Sequence, residues 1–369
     1  MAALAGCTPP SQKALENGSR LLAAGKTAEA LVQLQDARKR IEGHPNLKTN
    51  LVVVGKLYNQ LGLAHQTLSR LAIDDDAKSD HRTKAGIFYG KTIEQNPPFA
   101  IQQYAYQNRA WLYLEAVEWE KAAEDLGSLL HITENQGSTN NVFQFWLEKG
   151  TAEFGAGRIA EAEKSFSKIP NDARAQNNLG NIAETRGDLA EAERLHRESL
   201  AIKREIGDRQ GEAASLNNLG NIAKTRGDLA EAERLYREAL RKVLEVGDKH
   251  TQAYLLKDLA NLTRKRGHPN DLREAQGLAQ NSISIFQELG NPVALSEMKE
   301  VLGLISRDLG EFNEALQFFH ESLHTAREMK RPRLEGNAQS LIGTVYYDQG
   351  NFIEAERYYR IGLAIFREI

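Results

Sequence analysis

His320-Glu321-Ser322-Leu323-His324 spells H-E-x-x-H. On a helix that spacing puts two imidazoles on one face with a glutamate set as general base, the arrangement of a zinc-dependent hydrolase. Internal alignment argues against that chemistry here. Glu321 and Leu323 recur as Glu198 and Leu200 in an equivalent helix, so only the histidines are new, at the outward places of Arg197 and Ala201. A catalytic zinc needs three protein ligands in a shaped, partly dry site. No histidine follows, and Glu335 and Glu354 belong to the ordinary pattern of the next segment. His320 and His324 are therefore weak metal candidates, and neither a catalytic residue nor a cofactor is expected.

Other chemistry-bearing motifs are missing: no G-x-x-x-x-G-K-[ST], no G-x-S-x-G, and no G-x-G-x-x-G that opens a helix after a strand. The basic runs Arg264-Lys265-Arg266 and Lys330-Arg331-Pro332-Arg333 fall near predicted helix ends, where cations complement the macrodipole. With 47 Lys+Arg against 50 Asp+Glu and no wider basic patch, a nucleic-acid partner is not expected. A single cysteine in 369 residues excludes a disulfide framework and any multi-thiolate metal centre within one chain. No run approaches the roughly 18–20 apolar residues of a membrane-spanning helix.

The elements that position these residues come from repetition. GNIAETRGDLAEAERLHRESLAIKREIGD from Gly180 returns from Gly220 as GNIAKTRGDLAEAERLYREALRKVLEVGD, 40 residues later. A degenerate copy starts at Ala260 with three extra residues around His268-Pro269-Asn270, and two more start at Gly303 and Gly343. Upstream, the skeleton is weaker at Gly18, Ala110 and Gly150. Gly55 to Pro98 reads as one more unit with an irregular insert at Asp74–Asp80. Within a copy, Leu179, Ile182 and Ala183 share one helical face, while Ala192, Leu195, Ser199, Leu200 and Ile202 share another. Gly187-Asp188 breaks the two, glycine ending one helix and aspartate capping the next. The nine prolines fall at the N-terminus or between predicted helices. Each copy is therefore a helix–turn–helix, about seven in all.

Small residues at Gly180, Gly220, Gly303 and Gly343, second-helix alanines at Ala192, Ala232, Ala315 and Ala355, and an aromatic at Tyr236, Phe319 or Tyr359 resemble the tetratricopeptide repeat. The period of about 40 is that of its long variety, found in kinesin light chains. The resemblance implies an all-α, right-handed superhelical solenoid of stacked helix–turn–helix repeats. Residues 1–11 would form a tail, 12–171 divergent repeats and 172–369 regular ones, continuous with each other. Length alone would suggest two or three domains; repeats of 40 replace that count.

It also implies a non-catalytic scaffold that takes a partner peptide or helix in a concave groove lined by first helices. The groove residues would be Asn177, Asn181, Asn217, Asn221, Lys224, Lys257, Asn261 and Arg264. Recurrent asparagine offers a peptide backbone both acceptor and donors without reading its sequence. A carboxylate clamp of the chaperone-cofactor type is not expected. Asn181 and Asn218 match its pattern, but Asn177, Tyr254 and Asp258 occupy its Lys and Arg places, and Asp258 reverses the required charge. Lys224, Lys257 and Arg264 instead suggest a segment with some acidic side chains.

The ends add two expectations. Leu4-Ala5-Gly6-Cys7 resembles a bacterial lipobox, although six residues are too few for the apolar core of a signal. Lipidation of Cys7 would tie the chain to a membrane in the cell envelope, where it would assist assembly of a surface complex; without it, a cytoplasmic location is expected. At the other end, Tyr358, Ile361, Leu363 and Phe366 are left uncovered, which suggests self-association through the last repeat.

Overall fold

The computed structural model describes residues 10–139 and 141–368, and their regular structure is entirely helical. Cys7 lies outside the described residues. The chain forms two compact units, Met1–Asn178 and Leu179–Ile369. The first holds α1 (Pro10–Ala23), α2 (Thr27–Glu42), α3 (Leu51–Leu71), α4 (Asp75–Glu94), α5 (Phe99–Glu115), α6 (Trp119–Asn135), α7 (Val142–Gly155) and α8 (Ile159–Phe166). Helix α9 (Ala173–Thr185) carries the division. The second unit continues with α10 (Leu189–Ile206), α11 (Arg209–Thr225), α12 (Leu229–Val246), α13 (Lys249–Arg264) and α14 (Pro269–Glu288). It closes with α15 (Pro292–Asp308), α16 (Phe312–Glu328), α17 (Pro332–Asp348) and α18 (Phe352–Glu368).

Odd and even helices pair as hairpins, nine pairs among the described residues against about seven units read from the sequence. Helices α3 and α4 form the hairpin that the sequence shows least regularly. They run to 21 and 20 residues, and the segment read as an irregular insert, Asp74–Asp80, is mostly the first turns of α4. Asp74 caps that helix by accepting from the Ala77 N–H at 2.9 Å, and Asp75 and Asp76 complement its N-terminal dipole. Helix α1 opens at Pro10, taking in the last two residues of the segment read as a tail.

Helix boundaries in the regular stretch recur every 20 residues. Gly187, Gly207, Gly227 and Gly247 all have positive φ. Asp188, Asp208, Asp228 and Asp248 follow them, and each accepts from the N–H three residues on at 2.8–3.0 Å. Glycine tolerates the left-handed turn and aspartate satisfies an orphan donor, so one dipeptide ends a helix and starts the next. Pro269, Pro292 and Pro332 stand first in α14, α15 and α17, where a missing N–H costs no hydrogen bond.

Packing within a hairpin follows one rule. A Cβ added at Gly220 would sit 2.6 Å from the Tyr236 ring, at Gly303 2.5 Å from Phe319, at Gly180 2.6 Å from His196 and at Gly150 2.6 Å from Phe166. The facing residue lies 16 positions on in each case, and all four are fully buried. Gly62 meets Tyr89 in the same way at 2.6 Å, but 27 positions separate them because α3 and α4 are long. Where alanine replaces the packing glycine, the aromatic is lost too. Ala110 shares its core with Leu126, and Ala260 with Ala279, the place 16 plus the three inserted residues away.

Candidate functional site on the first-helix face

The first helices of the second unit present a common face, and distance from the packing glycine sorts its residues into lanes. Three residues before it stand Asn217, Lys257 and Glu300; one after it stand Asn181, Asn221 and Asn261; four after it stand Glu184, Lys224, Arg264 and Arg307. All are half-buried, as a lined surface requires. Asn177 belongs to the first lane in sequence and is half-buried on α9, within the first unit.

The asparagines are held by their own repeats. The Asn221 Oδ1 accepts from the Tyr236 hydroxyl at 2.6 Å and from Lys224 Nζ at 3.2 Å, leaving its Nδ2 without a partner among the described residues. Asn261 donates to the Lys257 carbonyl at 3.1 Å and keeps its Oδ1 acceptor. Asn181 accepts a long bond of 3.5 Å from the Asn218 amide. The Oδ1 of Asn217 is buried and accepts no hydrogen bond from the described residues. Tyr236 thus does two jobs: its ring fills the notch at Gly220, and its hydroxyl fixes the rung above. Burial pushes that hydroxyl well above the ordinary tyrosine range, so it stays a donor.

The cations are already engaged. Lys257 Nζ lies 2.8 Å from a Glu297 oxygen, Arg264 reaches Asp308 at 2.6 Å, and Lys224 stands 3.7 Å from Asp258. Arg307 pairs with Asp308 at 2.8 Å and stands 3.6 Å from Asp348. Each first helix therefore hands a charge to the next. The three cations expected to receive acidic side chains from a partner each face a carboxylate within the chain. Burial holds the Asp258 carboxyl above its usual range, and Lys224 and Lys257 offset only part of the rise. Burial pushes the Glu300 carboxyl up to about 7 against its Ser322 hydrogen bond, and the nearby Glu297 adds to the rise.

The H-E-x-x-H residues lie elsewhere, on α16. His320 and His324 are exposed; His324 stands 3.3 Å from Glu328, and Glu321 is taken by Lys299 at 3.0 Å and Gln317 at 3.1 Å. Among the described residues no group of three or more His, Cys, Asp or Glu side chains is placed to hold a metal ion. None of their helices is long and apolar enough to cross a membrane.

On the second-helix side, a cleft of about 630 Å³ opens between α10 and α12 over Leu200, Leu216, Leu219 and Leu235. Its rim is closed electrically: Arg197 and Arg226 pair with Glu193, Arg204 with Glu238, and Arg234 with Glu231 and Glu238. On the last hairpin Tyr347, Phe352, Tyr359, Leu363 and Phe366 are exposed, and Arg360 pairs with Glu356 among them.

Residues missed in the sequence include His196 and Glu300. His196 stands where Tyr236 and Phe319 stand, fully buried against Gly180, and its Nε2 lies 2.9 Å from Glu184. The 16-residue spacing was the signal that could have found it.

Helical hairpins stacked around glycine–aromatic contacts define a class of interaction scaffold rather than a catalytic fold. Tetratricopeptide-repeat models match residues 171–245, 298–329 and 337–369, and those stretches carry tetratricopeptide repeats. Among solved structures it is similar to apo RapI, at 14% identity with a TM-score of 0.64, covering 97% of this chain and 98% of that one. A Rap protein complexed with competence and sporulation factor matches at 14% identity and a TM-score of 0.54, covering 97% and 99%. PH0952 of Pyrococcus horikoshii, a signal-transduction ATPase with a tetratricopeptide-repeat sensor, matches at 14% and 0.60, covering 93% of this chain and 53% of that one. At such identities the likeness is one of fold. No curated protein sequence matches the chain significantly.

Proposed function

We propose that the chain is a non-catalytic scaffold that captures an extended peptide segment along the first-helix face of its second unit. Asn181, Asn221 and Asn261 meet the segment's backbone, and Asn217 extends the line. The observation that carries this reading is the half-committed amide. Asn221 and Asn261 each spend one end of the side chain inside the repeat and keep the other for a partner, which orients the group before a ligand arrives. A backbone N–H and C=O are what such a ladder can satisfy. Lys224, Lys257 and Arg264 act here as spacers that hold successive first helices in register through their ion pairs.

The test is selection of random dodecapeptides displayed on phage against the full chain, followed by titration of the enriched peptides. Changing Asn181, Asn221 and Asn261 together to alanine should weaken them by about 30-fold, near 2 kcal/mol, as expected for two or three modest hydrogen bonds. Unchanged affinity would remove this face from the account.

A further inference from the structure

Resting on that reading of the face, we infer that the captured segment carries a lysine or arginine side chain, which Glu300 receives. Elsewhere the chain gives its buried carboxylates a cation. Asp125 takes both prongs of Arg109 at 2.7 and 2.8 Å, Glu153 is engaged by Lys149, and Glu212 by Arg209 at 2.9 Å and Lys242 at 3.1 Å. Glu300 has only the Ser322 hydroxyl, at 3.0 Å, and no ion pair among the described residues.

Its surroundings offer no substitute. On its own helix Glu297 lies one turn back and is spent on Lys257 of α13, while Lys299 is spent on Glu321 of α16. From α16 the Ser322 hydroxyl donates to it, and that hydroxyl is shared with Ser296 at 2.9 Å. Lys224, Lys257, Arg264 and Arg307 are each matched by a carboxylate, so none of these cations on the face is left for Glu300 among the described residues.

A second feature of the same lane points the same way. The buried Asn217 Oδ1 is an acceptor without a donor. A buried acceptor left unpaired costs free energy that a bound donor recovers. Both missing partners are donors, and the one at Glu300 must be charged, because a carboxylate and an ammonium or guanidinium desolvated together recover the most. The acidic segment suggested by Lys224, Lys257 and Arg264 in the sequence is the opposite of what this ledger requires.

The same displayed dodecapeptides test the inference. Enriched peptides should share one Lys or Arg, and replacing it by norleucine in a synthetic peptide should weaken binding to the full chain tenfold or more. The same replacement should cost under twofold against Glu300→Gln, whose fold is checked by circular dichroism. A measurement that needs no variant is the pH profile. Glu300 loses its charge as pH falls through about 7, so affinity for the lysine peptide should drop about tenfold from pH 8 to pH 6, and that for the norleucine peptide should not. Enriched peptides without a cation, or a norleucine penalty that persists in Glu300→Gln, would overturn this inference while leaving the asparagine ladder in place. Absence of any enriched peptide, or binding indifferent to the triple asparagine change, would overturn the ladder and this inference with it.

Discussion

The two faces of the second unit are built from the same repeats and are chemically opposite. On the second-helix side the arginines lining the α10–α12 cleft have their carboxylates in hand, several of them one turn away on the same helix. On the first-helix side the charges also pair, but between successive repeats, and the pairing leaves Asn217, Asn221, Asn261 and Glu300 with groups still to satisfy. Charge count does not distinguish the faces; completeness of partnering does. A surface whose groups are already paired gains little from a ligand, because exposed ion pairs are worth little and are costly to desolvate.

The largest way to break the comparison is to remove the scaffold that both faces share. Gly220→Val would drive a branched side chain into the Tyr236 ring, 2.6 Å from where its Cβ would sit, and displace the hydroxyl that holds Asn221. A loss of about 3 kcal/mol is expected, read as a lower urea midpoint. An unchanged midpoint would mean that the notch is not packed as described.

Glu300→Gln sharpens the comparison by acting on the open face alone. The folded carboxyl is raised from the ordinary 4.5 up to about 7, so the neutral form is favoured in the fold. That contribution to stability is complete below pH 4.5 and is lost as pH rises through 7. The amide should therefore stabilise the chain above pH 7, by about 1–2 kcal/mol after discounting for partial solvent access, and change nothing at pH 4. Thermal melts at pH 4 and pH 8 check the sign. By contrast, Arg234→Ala on the closed face should shift stability by under about 0.5 kcal/mol at either pH, since it removes exposed pairs.

A small stabilising effect falls in the first unit. Val117 occupies the turn position filled by Gly157, Gly187 and Gly227 in other hairpins, and like them it has positive φ, here +62°. A β-branched residue is strained there, so Val117→Gly should stabilise by about 0.5–1 kcal/mol in urea denaturation. No gain would indicate that the left-handed turn costs this exposed valine nothing.

How much was legible in the sequence follows from which residues carry each contact. Hairpins were readable wherever Gly, Asp and an aromatic kept their 16- and 20-residue spacings, because those contacts are local. Helices α3 and α4 were legible only as a unit with an irregular insert, because extra turns put 27 residues between Gly62 and Tyr89 while leaving the contact itself intact. The asparagine ladder was visible as residue type at a fixed place. Its partnering was not, since Lys257–Glu297 and Arg264–Asp308 join residues 40 and 44 apart whose side chains meet only after stacking. Glu300 was hidden for the same reason: what marks it is a cation that does not arrive.

Amide hydrogen exchange on the full chain, with and without a saturating selected peptide, tests the central claim most directly. The account predicts added protection in α11, α13 and α15, with α10 and α12 unchanged. Protection concentrated in α10 and α12 would place the ligand in the paired cleft and contradict it.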